Sequence, residues 1–229
     1  MPGARESLPR RPRDAATLIL LRPRDGAVEV LMGVRHRRHV FMPNQYVFPG
    51  GSVDPGDSRV VPATQLRSDV AARLARACTP ARARALAVAA VRETFEETGL
   101  MVATRAASPR LGSTTAPWPA FAARGLAPAL DRLEYLMRAI TPPGRPRRFN
   151  TRFFIAHASA AVGELAGNGE LEDLHWVAID RALALPIPQI TECALRLVRD
   201  RQGARPAVGA REPVPLHRQR HGRYEMVEE

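Results

Sequence analysis

Three glutamates, Glu93, Glu96 and Glu97, follow Arg92 in the run Arg92-Glu93-Thr94-Phe95-Glu96-Glu97-Thr98-Gly99-Leu100. On a helix Glu97 lies about 40° to one side of Glu93 and Glu96 about 60° to the other, so the three carboxylates share a face. Val88, Val91 and Phe95 fall opposite, where a core takes them. Like charges so close repel, and near a helix C-terminus they also oppose the macrodipole. A solvated acidic face tolerates this crowding. So does a divalent cation seated among the carboxylates, since hard ions such as Mg²⁺ take oxygen ligands and neutralise phosphates beside them. Upstream, Phe48-Pro49-Gly50-Gly51-Ser52-Val53-Asp54-Pro55-Gly56-Asp57 places two glycines directly after a short strand. Glycine there lets a backbone carbonyl or amide approach an ion or a phosphate oxygen.

The elements that must hold these groups are legible around them. Residues 15–21 and 28–35 are apolar, β-branched runs separated by Arg22-Pro23-Arg24-Asp25-Gly26, and Asp-Gly between such runs predicts a β-hairpin. Residues 46–51 read as a strand entering the glycine turn, and 64–77 as an arginine-rich helix. Pro80 starts a helix that runs to Thr98 and stops at Gly99, the favoured C-terminal cap. Residues 100–103 are expected as strand, 108–119 as loop, 126–140 as a further amphipathic helix, 152–157 and 175–180 as strands, and 188–199 as a late helix. Residues 1–13 read as a loose arm, and the tail after Asp200 as extended or disordered. Strands and helices mix without a βαβ rhythm, which predicts an α+β fold in one domain over residues 14–200.

Composition narrows the class. The 229 residues are 45% hydrophobic and 25% charged, enough to bury a core, and no apolar run is long enough to span a bilayer. Cys78 and Cys193 form one bridge at most and have no metal-finger spacing. A soluble cytoplasmic protein without a membrane partner is expected. The net charge of +11 comes from 34 arginines and no lysine, spread along the chain, with only 5% aromatic residues. That spread argues against a nucleic-acid stripe and for compositional drift, while small phosphorylated molecules suit the same charge.

Taken together, the glycine pair and the glutamates resemble the Nudix box: Gly, five residues, Glu, seven residues, then Arg-Glu-apolar-X-Glu-Glu-X-Gly-apolar. Gly51 stands at the first position and Asp57 where the family has its first Glu. Arg92, Glu93, Glu96, Glu97 and Gly99 fill the second half, with Thr94 at a position usually apolar. Between Asp57 and Arg92 lie 34 residues in place of seven. Such a split box, with Phe-Pro-Gly-Gly before it and Glu-Thr-Phe-Glu-Glu within it, resembles the coenzyme A and acyl-CoA diphosphatases of the superfamily. Phe41-Met42-Pro43, the run 147–154 and the run 169–176 add to the likeness, which covers roughly residues 14–200. A shorter coenzyme A signature places Arg35 on its Arg and Gln45 on its Gln. His36, His39, Val40 and Met42 depart from it.

The resemblance implies a Nudix α/β/α sandwich, a mixed sheet between helices, with 80–98 as the catalytic helix. The insertion 58–79 and the helix near 126–140 would form a cap or pocket wall. It implies Mg²⁺- or Mn²⁺-dependent hydrolysis of a nucleoside diphosphate linked to another moiety, with coenzyme A or acyl-CoA giving 3′,5′-ADP and a phosphopantetheine product. Glu93, Glu96 and Glu97 would hold metal, with the Gly51 carbonyl contributing. Arg92 would orient a glutamate, and the general base would come from the cluster or from Glu170. Arg35, Gln45, Gly50, Arg147, Arg148 and Arg152 are the substrate-binding candidates. His36, His39, His157 and His175 are expected to be structural, and a homodimer is compatible with the family. ADP-ribose, NADH or a nucleotide sugar are rival substrates, and a non-catalytic ligand- or nucleic-acid-binding module is the rival class.

Overall fold

The computed structural model describes residues 11–35, 44–107, 109, 111–112, 116–203 and 212–229. Most of the expected arm, together with His36, His39 and Phe41-Met42-Pro43, lies outside them. Two strands, β1 (Arg13–Arg24) and β2 (Ala27–Arg35), form the expected hairpin around Asp25-Gly26. The short strands β3 (Tyr46–Val47) and β4 (Gly50–Ser52) pair with β2 and β1 respectively. After a 3-10 turn at Pro55–Arg59 come α1 (Ser68–Leu74), α2 (Pro80–Thr98), β5 (Met101–Arg105), α3 (Trp118–Ala123), β6 (Leu126–Pro128) and β7 (Glu134–Ile140). The chain continues through β8 (Phe149–His157), β9 (Ala161–Val162), β10 (Leu171–Ala178), α4 (Ile179–Ala182), α5 (Gln189–Gly203), β11 (Pro215–Arg220) and β12 (Arg223–Glu228).

The main sheet runs β10-β2-β1-β8-β7-β11-β12, and β5, β6 and β9 form a small second sheet. β1 with β8 and β7 with β11 are parallel and the other pairs antiparallel, so the main sheet is mixed. Its central strands are apolar on both sides because both sides are covered. Leu18 and Leu20 of β1 join Leu86, Val88 and Val91 of α2 in one core, while Ile19 and Leu21 join Ala194, Leu195 and Val198 of α5 in the other. This is an α/β/α sandwich, built by the rule that a doubly covered strand carries a continuous hydrophobic run.

Helix α2 carries the acidic run, and both its ends are set by sequence. Thr79 accepts from the Arg82 N–H at 3.3 Å, Pro80 takes the first turn, and Gly99 closes it in the left-handed region at φ 76°. A Cβ on Gly99 would lie 2.5 Å from the Glu164 carbonyl oxygen, so the loop after β9 seats directly on this cap.

One expectation is corrected. Residues 126–140 are not a helix: they give β6, a 3-10 turn at Leu130–Arg132 and the central strand β7. A bulge between Tyr135 and Met137 turns Leu136 and Met137 to the same core, and this break in alternation makes a doubly buried strand read as a helical stripe. Of the two readings of the tail, extended or disordered, the described residues 212–229 take the first. β11 and β12 form a hairpin added to β7, where Arg138 ion-pairs with Glu229 and the Arg76 guanidinium donates to the Glu229 carbonyl oxygen. Elsewhere the boundaries shift: the helix expected over 64–77 shrinks to α1, and the strand expected at 175–180 starts earlier, at Leu171, and ends at Ala178.

Candidate active site

A cleft of about 730 Å³ opens where the C-terminal half of α2 passes β4. Gly50, Gly51, Ser52 and Asp54 line one side, Glu93, Glu96 and Glu97 another, and Arg35, Arg147, Asn168 and Glu170 the rim. Thr17, Phe48, Phe149, Thr151, Phe153 and Ile190 complete an apolar and hydroxyl-bearing wall.

Arg92 is the hub. It is 5% exposed and uses all three guanidinium nitrogens. Nε donates to Asp57 at 2.8 Å and Nη2 to the same carboxylate at 3.1 Å and to the Ser52 carbonyl at 2.8 Å. Nη1 donates to Glu93 and to Glu96, each at 2.9 Å. One planar fork thus ties the glycine strand, the 3-10 turn and two glutamates of α2 into one unit, a geometry that suits arginine and not lysine. Asp57 is fully buried and also accepts from the Asp54 N–H at 2.8 Å, so the insertion leaves this position in register with Arg92.

Glu97 is 4% exposed and accepts from the Gly50 N–H at 2.9 Å. Burial, offset in part by that hydrogen bond and reinforced by the Glu93 charge, pushes its carboxyl up to about 8. Burial also carries Glu93 up to about 7 against the pull of Arg92, with Glu96 and Glu170 adding repulsion, and it raises Glu96. By contrast Arg92, which burial alone would lower, is held well above its ordinary value by Asp57, Glu93 and Glu96.

Among the described residues no three His, Cys, Asp or Glu side chains already converge on one point. The donors nonetheless fit a hard divalent cation. They are all carboxylates, burial raises the pKa of all three, to about 7 at Glu93 and about 8 at Glu97, and each engages one oxygen with Arg92 or Gly50 while the other has no hydrogen-bond partner among the described residues.

The crowding has a sign. A group whose folded pKa lies above its ordinary value binds more protons folded than unfolded, so stability falls as pH rises. Thermal unfolding in a chelator is expected to shift down between about pH 5 and pH 8.5, through the window set by Glu93 and Glu97. Added Mg²⁺ or Mn²⁺ should recover more at pH 8 than at pH 5.5, a comparison that differential scanning calorimetry makes directly.

Gly51 faces Glu93 with no room for a side chain: a Cβ there would lie 2.5 Å from the Glu93 carboxyl carbon. Gly51→Ala is expected to cut turnover about tenfold or more by displacing that carboxylate, a misplacement on the ~1 Å scale. The main-sheet fold should survive, which circular dichroism checks.

Not every expected residue reaches the cleft. Gln45 accepts from the Arg35 N–H through its carbonyl at 3.1 Å and is not on the wall. The Arg148 guanidinium donates to the Thr141 carbonyl at 3.1 Å, across the base of the β7–β8 turn. Arg152 is corrected outright. It is 1% exposed and bound to Asp14 at 2.7 Å on the other sheet face, because Phe149, Thr151 and Phe153 of β8 take the cleft side. His157 and His175 line no part of the cleft. Residues missed were Thr17, Thr151 and Asn168. The strand parity of β1 and β8 could have pointed to the first two, but nothing local marks Asn168.

No family model matches the chain. It is 29% identical over 180 residues to nudix hydrolase 7 of Caenorhabditis elegans, a match that takes in 71% of this chain and 54% of that protein. The chain therefore spans about half the length of the curated relative it matches. The crystal structure of a NUDIX hydrolase from Alicyclobacillus acidocaldarius is similar over 82% of this chain and 92% of that one, at 30% identity and a TM-score of 0.61. The MutT protein from Methanosarcina mazei Go1 shares the fold, at 14% identity and a TM-score of 0.50, over 86% of this chain and 99% of that one.

Proposed function

The chain belongs to the Nudix hydrolase superfamily, and on that premise we propose that it hydrolyses the diphosphate of a nucleoside diphosphate linked to another moiety, with coenzyme A or an acyl-CoA as the substrate class. The observation that carries this reading is the convergence of Glu93, Glu96, Glu97, Gly50, Gly51, Arg35, Arg147 and Glu170 on one cleft.

A diphosphate repels an incoming nucleophile until its oxygens are neutralised. Glu93, Glu96 and Glu97, with Gly51 alongside, would hold a divalent cation, which when bound would supply that neutralisation and make bound water more acidic. The chain's own groups do the positioning. Arg92, anchored on Asp57, fixes the Glu93 and Glu96 carboxylates and does not itself touch substrate. The Gly50 N–H fixes Glu97. Arg35, whose buried Nε has no hydrogen-bond partner among the described residues, and the exposed Arg147 bind the anionic ends of the substrate. Glu170 takes the proton of the attacking water as its oxygen bonds to phosphorus and the bridging P–O bond breaks. Phe48, Phe149, Phe153 and Ile190 offer an apolar surface to the base or the pantetheine arm.

Product analysis with a substrate panel and Mg²⁺ tests the reading. Release of 3′,5′-ADP from coenzyme A supports it. AMP from ADP-ribose or NADH, with coenzyme A untouched, moves the substrate class elsewhere in the superfamily. No turnover of any diphosphate, with salt-sensitive binding of RNA or DNA, would make the chain a binding module.

A further inference from the structure

The last strand of the main sheet, β12, pairs with β11 on one side, and among the described residues nothing pairs with its other side. It carries two of the large apolar side chains left exposed, Tyr224 at 41% and Met226 at 44%. Proteins usually blunt such an edge, because unpaired N–H and C=O groups and apolar side chains together template a further strand. We propose that β12 is the contact between two copies of this chain, paired antiparallel about a two-fold axis through Met226.

Hydrogen-bond parity fixes the register. The β11–β12 turn has two residues, His221 and Gly222, both at positive φ, so the flanking Arg220 and Arg223 are a hydrogen-bonded pair. At the far end Val214 and Glu229 exchange both backbone hydrogen bonds, which keeps the same alternation along the whole hairpin. The inward-bonding residues of β12 are therefore Arg223, Glu225 and Val227, and the outward ones Tyr224, Met226 and Glu228. Two copies can only match outward residue to outward residue.

Three two-fold registers near the strand centre satisfy that. Centring on Glu225 stacks it against its own copy, and centring on Val227 sets Glu225 against Glu229. Centring on Met226 avoids both. It opposes Met226 to Met226, Tyr224 to Glu228, Glu225 to Val227 and Arg223 to Glu229, so no like charges face each other and the methionines and tyrosines form one apolar strip. A strand so self-complementary suits a second copy of itself better than an unrelated peptide.

Sedimentation across micromolar concentrations tests this on the full chain. The wild type is expected to show a concentration-dependent dimer, and Met226→Lys, which sets two ammonium groups on the axis, to weaken it tenfold or more. Because an altered edge could also disturb the hairpin, a second measurement fixes the register. Met226→Cys should cross-link to its copy under mild oxidation, its Cα atoms about 5.5 Å apart in such a pair, within disulfide reach. Glu228→Cys, far from its own copy in this register, should not. A strictly monomeric wild type, a dimer untouched by Met226→Lys, or cross-linking at Glu228 in preference to Met226 would each overturn the proposal.

Discussion

Glu97→Gln is expected to lower turnover by about two orders of magnitude or more while raising the thermal stability of the metal-free protein at pH 8. The two halves have one cause. Glutamine is isosteric and still accepts from the Gly50 N–H, so the local structure has no reason to change. What disappears is a buried negative charge, whose carboxyl is already pushed up to about 8 by burial and by Glu93. Without a cation that charge destabilises the fold at alkaline pH by an amount on the order of a few kcal/mol, so removing it helps. In the proposed reaction the same charge is an electrostatic element, and losing one such element typically costs 10²–10³ in rate. Glu96→Gln should lose activity on a similar scale. Its stability should change less, since Glu96 is more exposed and its charge is balanced by Arg92. Steady-state kinetics on the substrate found by the panel, with melting in a chelator, reads both quantities. Near-wild-type rates would remove Glu97 from the reaction, and a fall in stability would make it a structural residue.

Arg92→Leu acts on the same cluster from the other side and should harm stability and activity together. Asp57, fully buried, would lose both hydrogen bonds that match its charge. Breaking a buried pair by removing one partner costs about 3–5 kcal/mol, because the remaining charge has neither water nor partner. In a chain of this size that corresponds to a fall of about 10 °C in melting temperature. Glu93 and Glu96 would also lose their shared donor, and turnover should fall with them. Pairing the change with Asp57→Leu separates the effects. The double variant removes both buried charges and should regain much of the stability, as apolar replacements of buried ion pairs often do. It should not regain activity, since Glu93 and Glu96 are still unheld. Recovery of turnover in the double variant would show that Arg92 serves only the fold.

Which parts of this were legible in the sequence follows from how local the signals are. Helix α2 has its cap, first-turn proline and terminal glycine all within the segment, and the structure places them as the residues dictate. The β1–β2 hairpin is equally local, set by Asp25-Gly26. Strand β7 was misread because its identity depends on β8 and β11 on either side, and its bulge imitates a helical period. Arg152 was misplaced for a similar reason. The run Arg147-Arg148-Phe149-Asn150-Thr151-Arg152 is rich in cations, but only the pairing of β1 with β8 decides that Thr151 meets the cleft while Arg152 meets Asp14. The bond from Arg92 to the Ser52 carbonyl has no sequence signature at all, because a backbone acceptor is available at every residue.

In the proposed reaction the crowded carboxylates are tolerated for the sake of a cation. Calorimetric titration of Mn²⁺ at pH 8, with a non-hydrolysable diphosphate analogue present, tests this most directly when wild type and Glu97→Gln are run side by side. The wild type should bind the ion and release protons into the buffer, as carboxyls held up to about 7 and 8 ionise to receive it, and the variant should bind far more weakly and release fewer. Absence of binding in the wild type, or equal binding and proton release in both, would contradict it.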